Sequence, residues 1–198
     1  MITILTNVNK ILHLIDISNI KRIPFRNDIN GLRAIAVIAV VFYHADIEIF
    51  KGGWLGVDLF FVISGYLISN IIISELNDGT FAFKRFYLRR IKRILPGLFS
   101  TLLLTTPFAY FFLTPKAIRE FADSMLASIF FYANYYFQQL DFYIAESTNL
   151  MPLLHTWSLA IEEQYYLLFP ISAFLLYKYI NKYFTLIIGL ISIVSIYI

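Results

Sequence analysis

The chain has no cysteine among its 198 residues. Disulfide bonds, thiolate metal sites and a covalent acyl-cysteine intermediate are therefore excluded for this sequence, although the absence does not decide its compartment. Charged residues are also scarce, since Asp, Glu, Lys and Arg make up 15% of the sequence whereas hydrophobic residues make up 59%. This composition is typical of a membrane protein and predicts an all-α, polytopic bundle of transmembrane helices.

Several signatures of soluble enzymes are missing as well. None of the three histidines is followed five positions later by aspartate, as in soluble-type acyltransferases, and neither a His-Glu-x-x-His zinc pair nor a glycine-rich phosphate loop is present. No spacing of residues favours a catalytic zinc ion, so we predict no bound metal. We also expect no permanently bound cofactor and no nucleic-acid partner.

A run of nine apolar residues, 34–42, separates Arg33 from His44 and predicts a first membrane helix over residues 30–50. Eleven residues correspond to roughly 16 Å of helix and return to nearly the same azimuth, so the two side chains share one stripe. An ionisable side chain at that depth is unfavourable and by default indicates a functional site facing the bundle interior. The alternative is a structural histidine that forms a hydrogen bond in the core.

A second apolar segment, residues 54–75, predicts the next span. Asp58, Gly65 and Ser69 are spaced i, i+7 and i+11 and fall on one face, which predicts a close approach of another helix. Asp58 either belongs to a functional site near the outer end of this helix or only caps the helix start. Both interpretations stay open.

Six of the sixteen Lys and Arg residues lie between Lys84 and Arg93. Over residues 81–96 they alternate with aromatic residues, which is typical of an amphipathic helix at the membrane interface, on the cytoplasmic side. One interpretation is attachment to anionic lipid headgroups. The other is that Arg90 and Arg93, one helical turn apart, bind phosphates through bidentate hydrogen bonds.

The remaining segments determine the predicted topology. Basic residues among positions 21–33 place the N-terminus in the cytoplasm, and the uncharged residues 95–114 predict a third span. Residues 124–140 are apolar but contain three side-chain amides, so they either cross the membrane or form a re-entrant or interfacial segment. We favour the re-entrant form, because it leaves Lys178 and Lys182 on the cytoplasmic side.

A second polar cluster heads the last part of the sequence. His155, Ser158 and Glu162 fall at i, i+3 and i+7 on one helix face, and Glu163 adds a second acid. A belt of interfacial aromatic residues is the structural alternative, but it does not explain a histidine and two acids together. Two histidines with acids nearby suit general acid–base catalysis. The same charges would also suit a non-enzymatic, transporter-like subunit that moves a proton or solute.

Four blocks of the chain resemble, in order, those of the acyltransferase-3 family of bacterial integral membrane O-acyltransferases. They are residues 30–44, 56–66, 89–96 and 155–166. The resemblance implies an acyl-CoA donor, usually acetyl-CoA, at the cytoplasmic side, and a hydroxyl acceptor on a cell-surface or lipid-linked glycan such as lipopolysaccharide. It also implies a multi-pass protein of the bacterial inner membrane, in contact with membrane lipids.

The resemblance also assigns candidate residues. The family's arginine–histidine motif falls on Arg33 and His44, and its Arg-x-x-Arg motif falls on Arg90 and Arg93. The predicted catalytic residues are His44, Arg33, His155, Glu162, Glu163 and Asp58. The predicted donor-binding residues are Arg90, Arg93 and Arg89.

Family members have about ten spans, whereas this chain has five or six hydrophobic segments. An uncharged apolar run, residues 183–198, continues to the last residue. We therefore predict a cytoplasmic N-terminal segment over residues 1–26 and an incomplete acyltransferase domain over residues 27–198. An inactive truncated product is a further alternative, and the pattern gives no oligomeric state.

Overall fold

The computed structural model describes residues 26–140 and 151–180. Over these residues the chain is helical, with no β-strand. The α-helices are α1 Asn27–His44, α2 Leu55–Asn77, α3 Phe83–Phe112, α4 Pro115–Ile129, α5 Ala133–Gln138 and α6 Thr156–Ile180, and a 3₁₀ helix, Glu48–Phe50, lies between α1 and α2. The predicted all-α bundle is confirmed. The predictions for residues 1–25, Lys182 and residues 183–198 lie outside the described residues.

Three of these helices are long and apolar enough to cross a membrane. They are Leu55–Asn77, Phe83–Phe112 and Thr156–Tyr179. Helix α1, whose 18 residues include Asp28 and Arg33, is not among them. It runs from Asn27 to His44, so the predicted first helix over residues 30–50 is wrong at both ends. The helix ends at His44, where the chain turns and Asp46 takes a φ of 54°, a conformation that aspartate tolerates.

Helices α1 and α2 pack closely as an antiparallel hairpin. A Cβ added to Gly56 of α2 would lie 2.6 Å from the Ala36 carbonyl oxygen and 2.8 Å from Val40 Cγ2 of α1. The sequence placed a close helix approach at Gly65, and this is wrong, since a Cβ added there meets nothing within 4 Å. Nine residues separate the two glycines, which puts Gly65 about 180° around α2 from the face that contacts α1.

Helix α3 joins two helices that the sequence predicted separately. The basic segment, residues 81–96, and the third span, residues 95–114, form one helix of 30 residues with Pro96 and Pro107 inside it. Proline removes one backbone hydrogen bond, but membrane helices tolerate this when neighbouring groups satisfy the freed carbonyl. A change from basic to apolar composition therefore does not end the helix here.

The segment predicted to be re-entrant is broken in the structure. Helix α4 ends at Ile129, Phe131 takes a φ of 55°, and α5 has only six residues. The 15 residues of α4 extend about 22 Å, less than a hydrocarbon core of about 30 Å. Gln164 of α6 holds the break in place, because its Nε2 donates to the Phe131 carbonyl at 2.8 Å and to Asn134 Oδ1 at 2.9 Å. The position of this segment in the membrane stays a prediction.

Helix α6 packs against α2, α3, α4 and α5. Its Tyr166 and Ala173 share one core cluster with α2 and with Phe86 of α3. Its Ala160 packs with Ala127 of α4 and with α5 in another cluster. The polar residues in the N-terminal half of α6 are therefore brought next to α2 and α3.

Candidate functional site

A cavity of about 500 Å³ lies between α1, α2, α3 and α6. Its basic lining consists of Arg26 and Arg33 at the start of α1 and Arg90 and Arg93 of α3. Its other polar lining residues are Asn30, Ser64, Tyr66, Asn70 and Tyr166. The volume falls within the usual range of small-molecule sites. Arg33 and two of the predicted donor-binding arginines are thus brought together.

The four arginines differ in their partners. Exposed Arg26 forms an ion pair with Asp28 at 2.6 Å, and this hydrogen-bonded pair raises the pKa of Arg26 and lowers that of Asp28 to about 2. No carboxylate among the described residues lies within 4 Å of the side-chain nitrogens of Arg33, Arg90 or Arg93. The Nε atoms of Arg33 and Arg90 are also buried without a hydrogen-bond partner in this part of the chain. The cavity therefore suits an anion.

Arg90 is held by aromatic rings. Its guanidinium carbon lies 5.9 Å from the centroid of the Phe86 ring and 5.6 Å from that of Tyr166, within the range of cation–π contacts. The Tyr166 hydroxyl donates a hydrogen bond to Glu162 Oε1. Glu163 interacts electrostatically with Arg90, and its Oε1 is buried without a hydrogen-bond partner among the described residues. Neither predicted acid lines the cavity, but Glu162 is bonded to Tyr166 and Glu163 interacts with Arg90, and both of these partners do.

Arg89 does not line the cavity, although the sequence grouped it with Arg90 and Arg93. Its Nη2 donates to Glu75 Oε1 of α2 at 2.8 Å, and Arg85 lies 3.7 Å from the other oxygen of the same carboxylate. Adjacent helical residues point about 100° apart, so Arg89 and Arg90 face different neighbours. The contacts of Arg89 attach the start of α3 to the end of α2.

The two predicted catalytic histidines meet. The ring centroids of His44 and His155 lie 4.5 Å apart at an interplanar angle of 86°. His44 Nδ1 lies 2.8 Å from the Val40 carbonyl oxygen, which accepts only, so Nδ1 carries the proton in this hydrogen bond and Nε2 keeps its lone pair. Partial burial, and next the adjacent His44, lower the pKa of His155 below its ordinary value of 6.5. The lowered pKa keeps His155 neutral near pH 7.

The arginine cavity and the histidine pair lie at two levels of the same two helices. On α1, Arg33 lines the cavity, and His44 joins the pair eleven residues later. Around the start of α6 the two subsites occur in the opposite order along the sequence. His155, just before α6, belongs to the pair, and Tyr166, eleven residues later, lines the cavity. Eleven residues rise roughly 16 Å in each case, which is the separation of the two subsites along the helices.

Asp58 belongs to neither subsite as described. It is exposed in the first turn of α2, whose N-cap residue is Trp54, so Asp58 does not cap the helix. A negative charge in the first turn is favourable because it interacts with the helix dipole. Asp58 is not part of the cavity lining, and its predicted catalytic role stays a prediction.

Sequence reasoning missed several polar residues of the cavity. Tyr166 follows His155 by eleven positions and Asn30 precedes Arg33 by three, so helical spacing from the predicted residues would have found both. Ser64 and Asn70 carried no such spacing signal, although Ser64 lies within the block of residues 56–66 that resembles the family. Only the packing of α2 against α1 and α3 identifies them.

Comparisons with known proteins place the chain among acyltransferases. A family model described as "Acyltransferase domain" (Acyl_transf_3) matches residues 26–198. "Putative O-acetyltransferase SAS0844" of Staphylococcus aureus strain MSSA476 is 40% identical over 163 residues, 82% of this chain. "Peptidoglycan O-acetyltransferase OatA" of Listeria monocytogenes is 37% identical over 156 residues, 78% of the chain, and "O-acetyltransferase OatA" of S. aureus strain NCTC 8325 is 37% identical over 171 residues, 84% of the chain. The matches span only 27%, 25% and 28% of these relatives. No solved structure gives a significant match.

Proposed function

Because the chain belongs to the acyltransferase-3 family, we propose that it transfers an acyl group, in the first place acetyl, from acyl-CoA to a hydroxyl of a cell-envelope glycan. The observation that supports this proposal is the arginine cavity placed about 16 Å along α1 and α6 from the histidine pair. The chain spans about a quarter of the length of the curated relatives it matches. The proposal therefore concerns the full-length gene product.

The donor site proposed here is the arginine cavity. Coenzyme A is an anion whose phosphates are separated from its thioester by a long flexible arm. Arg33, Arg90 and Arg93 would bind the phosphates, since guanidinium groups donate paired hydrogen bonds to phosphate oxygens. The arm would then extend along α1 and α6 toward the histidine pair. We place the cavity and the N-terminus on the cytoplasmic side, because the basic residues of α3 favour that side.

The proposed transfer chemistry uses His44 as general base. Its Nε2 removes the proton from the acceptor hydroxyl as that oxygen attacks the thioester carbonyl. The carbon–sulfur bond then breaks, and the coenzyme A thiolate takes the proton from His44. His155, whose pKa is lowered, stays neutral beside the cation that forms on His44. The pair therefore carries a single positive charge during transfer.

The proposed acceptor is a hydroxyl group of a cell-envelope glycan. Peptidoglycan is the first glycan to test, because one relative is named a peptidoglycan O-acetyltransferase. Lipopolysaccharide and lipid-linked sugars are the alternatives to be offered in parallel. In each case we propose that the acceptor reaches the histidine pair from the side of the membrane opposite the donor.

Labelled acetyl-CoA tests the proposal directly. Membranes that contain the full-length gene product should transfer label to the glycan, and His44→Ala should abolish transfer while membrane insertion stays normal. Lys51→Ala, which removes only an exposed ion pair with Glu48, serves as the control and should keep full activity. Label transfer by His44→Ala at the wild-type rate would refute the role of the histidine. Proton or solute flux without any label transfer would instead support a transporter-like subunit.

The donor site has a separate test. Arg90→Ala and Arg93→Ala should each weaken coenzyme A binding by the purified protein in neutral detergent. Charge-assisted hydrogen bonds of this kind contribute about 1.5–3 kcal/mol each, so the loss should be about tenfold or more. Unchanged affinity in both variants would return these arginines to the role of lipid anchors.

A further inference from the structure

Ser64 is the most deeply buried polar residue of the cavity lining. It lies on α2 with 3% of its surface exposed. Its hydroxyl oxygen is buried and has no hydrogen-bond partner among the described residues. The Tyr166 hydroxyl, which donates a hydrogen bond to Glu162, lies close enough to interact with Ser64 Oγ but outside hydrogen-bond geometry. A buried hydroxyl without a partner is energetically unfavourable unless a ligand supplies one.

Other buried hydroxyls of this chain have ordinary partners. Ser124 donates to the Phe121 carbonyl at 2.8 Å, and Ser128 donates to the Ser124 carbonyl at 2.7 Å. A serine inside a membrane helix usually makes this local bond to the preceding turn. Ser64 does not make it, so its free hydroxyl is a property of its position and not of buried serines in general.

The register of the hairpin brings Ser64 close to the level of the arginines. Gly56 of α2 lies against Ala36 and Val40 of α1. Ser64 lies eight residues further along α2, about 12 Å, and the antiparallel α1 at that level carries Asn30, about one helical turn from Arg33. Ser64 Oγ, Arg33 Nε and Arg90 Nε are therefore three buried donors around one cavity, and none has an acceptor in the described part of the chain. Donors that converge without an acceptor suit an oxygen-rich anion.

We propose that the Ser64 hydroxyl is a phosphate-binding group that completes an anion site with Arg33 and Arg90. The site takes one phosphate group, to which Ser64 donates a hydrogen bond. The identity of the ligand as the donor's phosphate rests on the proposed function, whereas the anion site itself rests on the three donors. The other source of the same chemistry is the phosphate of a lipid headgroup.

Binding measurements on the full-length gene product in neutral detergent test this proposal. The probes are coenzyme A and inorganic pyrophosphate, and Ser64→Ala should weaken the binding of each by about tenfold, as expected for one hydrogen bond to a charged group. Ser64→Cys, which keeps nearly the same size but is a weak donor, should also weaken binding. Ser69→Ala is the matched control, because Ser69 lies on the same helix, outside the cavity lining, and pairs with Tyr165 at 3.1 Å.

The outcomes separate this proposal from the proposed function. Weaker binding in Ser64→Ala and Arg90→Ala, with wild-type binding in Ser69→Ala, supports both. Wild-type affinity in Ser64→Ala together with weaker binding in Arg90→Ala overturns the role of Ser64 and leaves the donor site intact. Wild-type affinity in both overturns the donor site too. Addition of phosphatidylglycerol should not displace the probes, and displacement that depends on Ser64 would assign the site to a lipid headgroup and overturn its assignment to the donor.

Discussion

Replacing Gly56 by alanine tests whether the contact between α1 and α2 sets the position of both subsites. The new Cβ would lie 2.6 Å from the Ala36 carbonyl oxygen, whereas ordinary contacts begin near 3.4 Å. Since a backbone carbonyl cannot rotate away, α1 must shift by about 0.8 Å, the difference between these two distances. Ala36 lies between Arg33 and His44, so the shift moves the arginine and the histidine relative to α6.

Two effects of this substitution oppose each other. Overpacking of a close contact typically costs about 1–3 kcal/mol. Replacing a helical glycine by alanine gives back about 0.4–1 kcal/mol by restricting the unfolded chain. We therefore expect Gly56→Ala to destabilise the protein by about 1–2 kcal/mol and to lower transfer activity by one to two orders of magnitude, because catalysis is sensitive to displacements of this size.

Gly65→Ala is the matched control for Gly56→Ala. Gly65 lies on the same helix, and a Cβ added there meets nothing within 4 Å, so only the favourable term applies. Thermal unfolding in detergent and label transfer from acetyl-CoA should show Gly65→Ala at or above wild type and Gly56→Ala below it. If both variants unfold at the same temperature and transfer label at the same rate, the hairpin contact does not set the site.

Three further predictions concern the site and its supports. The lowered pKa of His155 keeps this side chain neutral at pH 6.5, so its NMR titration in the folded protein should have a midpoint below 6.5, and a midpoint at or above that value would contradict this. The folded state also binds this proton less readily than the unfolded chain, so stability should fall as the pH drops through 6.5. Tyr166→Leu should weaken coenzyme A binding by removing a ring from Arg90, whereas Tyr166→Phe should retain most of it, and equal affinities would exclude the cation–π contact as a support. Arg89→Ala should lower the unfolding temperature by breaking the ion pair with Glu75 while coenzyme A affinity stays at the wild-type value, and a tenfold weaker affinity would place Arg89 in the donor site.

The sequence predicted the helical fold because the signal is local. The apolar run that predicted a span over residues 54–75 corresponds closely to Leu55–Asn77. Helix boundaries were less predictable where a backbone conformation decides them. Helix α1 ends at His44, earlier than predicted, because the chain turns at Asp46, whose φ is 54°. Helix α3 was divided in the prediction because composition changes at Pro96, yet proline did not end the helix.

Residue types at the site were predictable, but their neighbours were not. Helical spacing placed Arg33 and His44 on one stripe. In the structure Arg33 lines the arginine cavity and His44 belongs to the histidine pair. The contact of His44 with His155 joins residues 111 positions apart, and no local pattern reports such a pairing. Likewise, the sequence gives no reason to assign different roles to the adjacent Arg89 and Arg90. The structure does, because Glu75 lies beside Arg89 and binds it away from the cavity.

The adjacent acids Glu162 and Glu163 illustrate how much such contacts change an interpretation. Glu162 accepts a hydrogen bond from the Tyr166 hydroxyl, and this bond supports the ring that contacts Arg90. Glu163 instead has a carboxylate oxygen without a hydrogen-bond partner among the described residues, and it interacts electrostatically with Arg90. A negative charge there opposes the binding of a phosphate. At pH 8 and above, where the Glu163 carboxyl group is ionised, we expect Glu163→Gln to strengthen coenzyme A binding by about fivefold, from an electrostatic interaction of about 1 kcal/mol. Glu162→Gln is the matched control and should not strengthen it, and tighter binding in Glu162→Gln alone would reverse the roles assigned to the two acids.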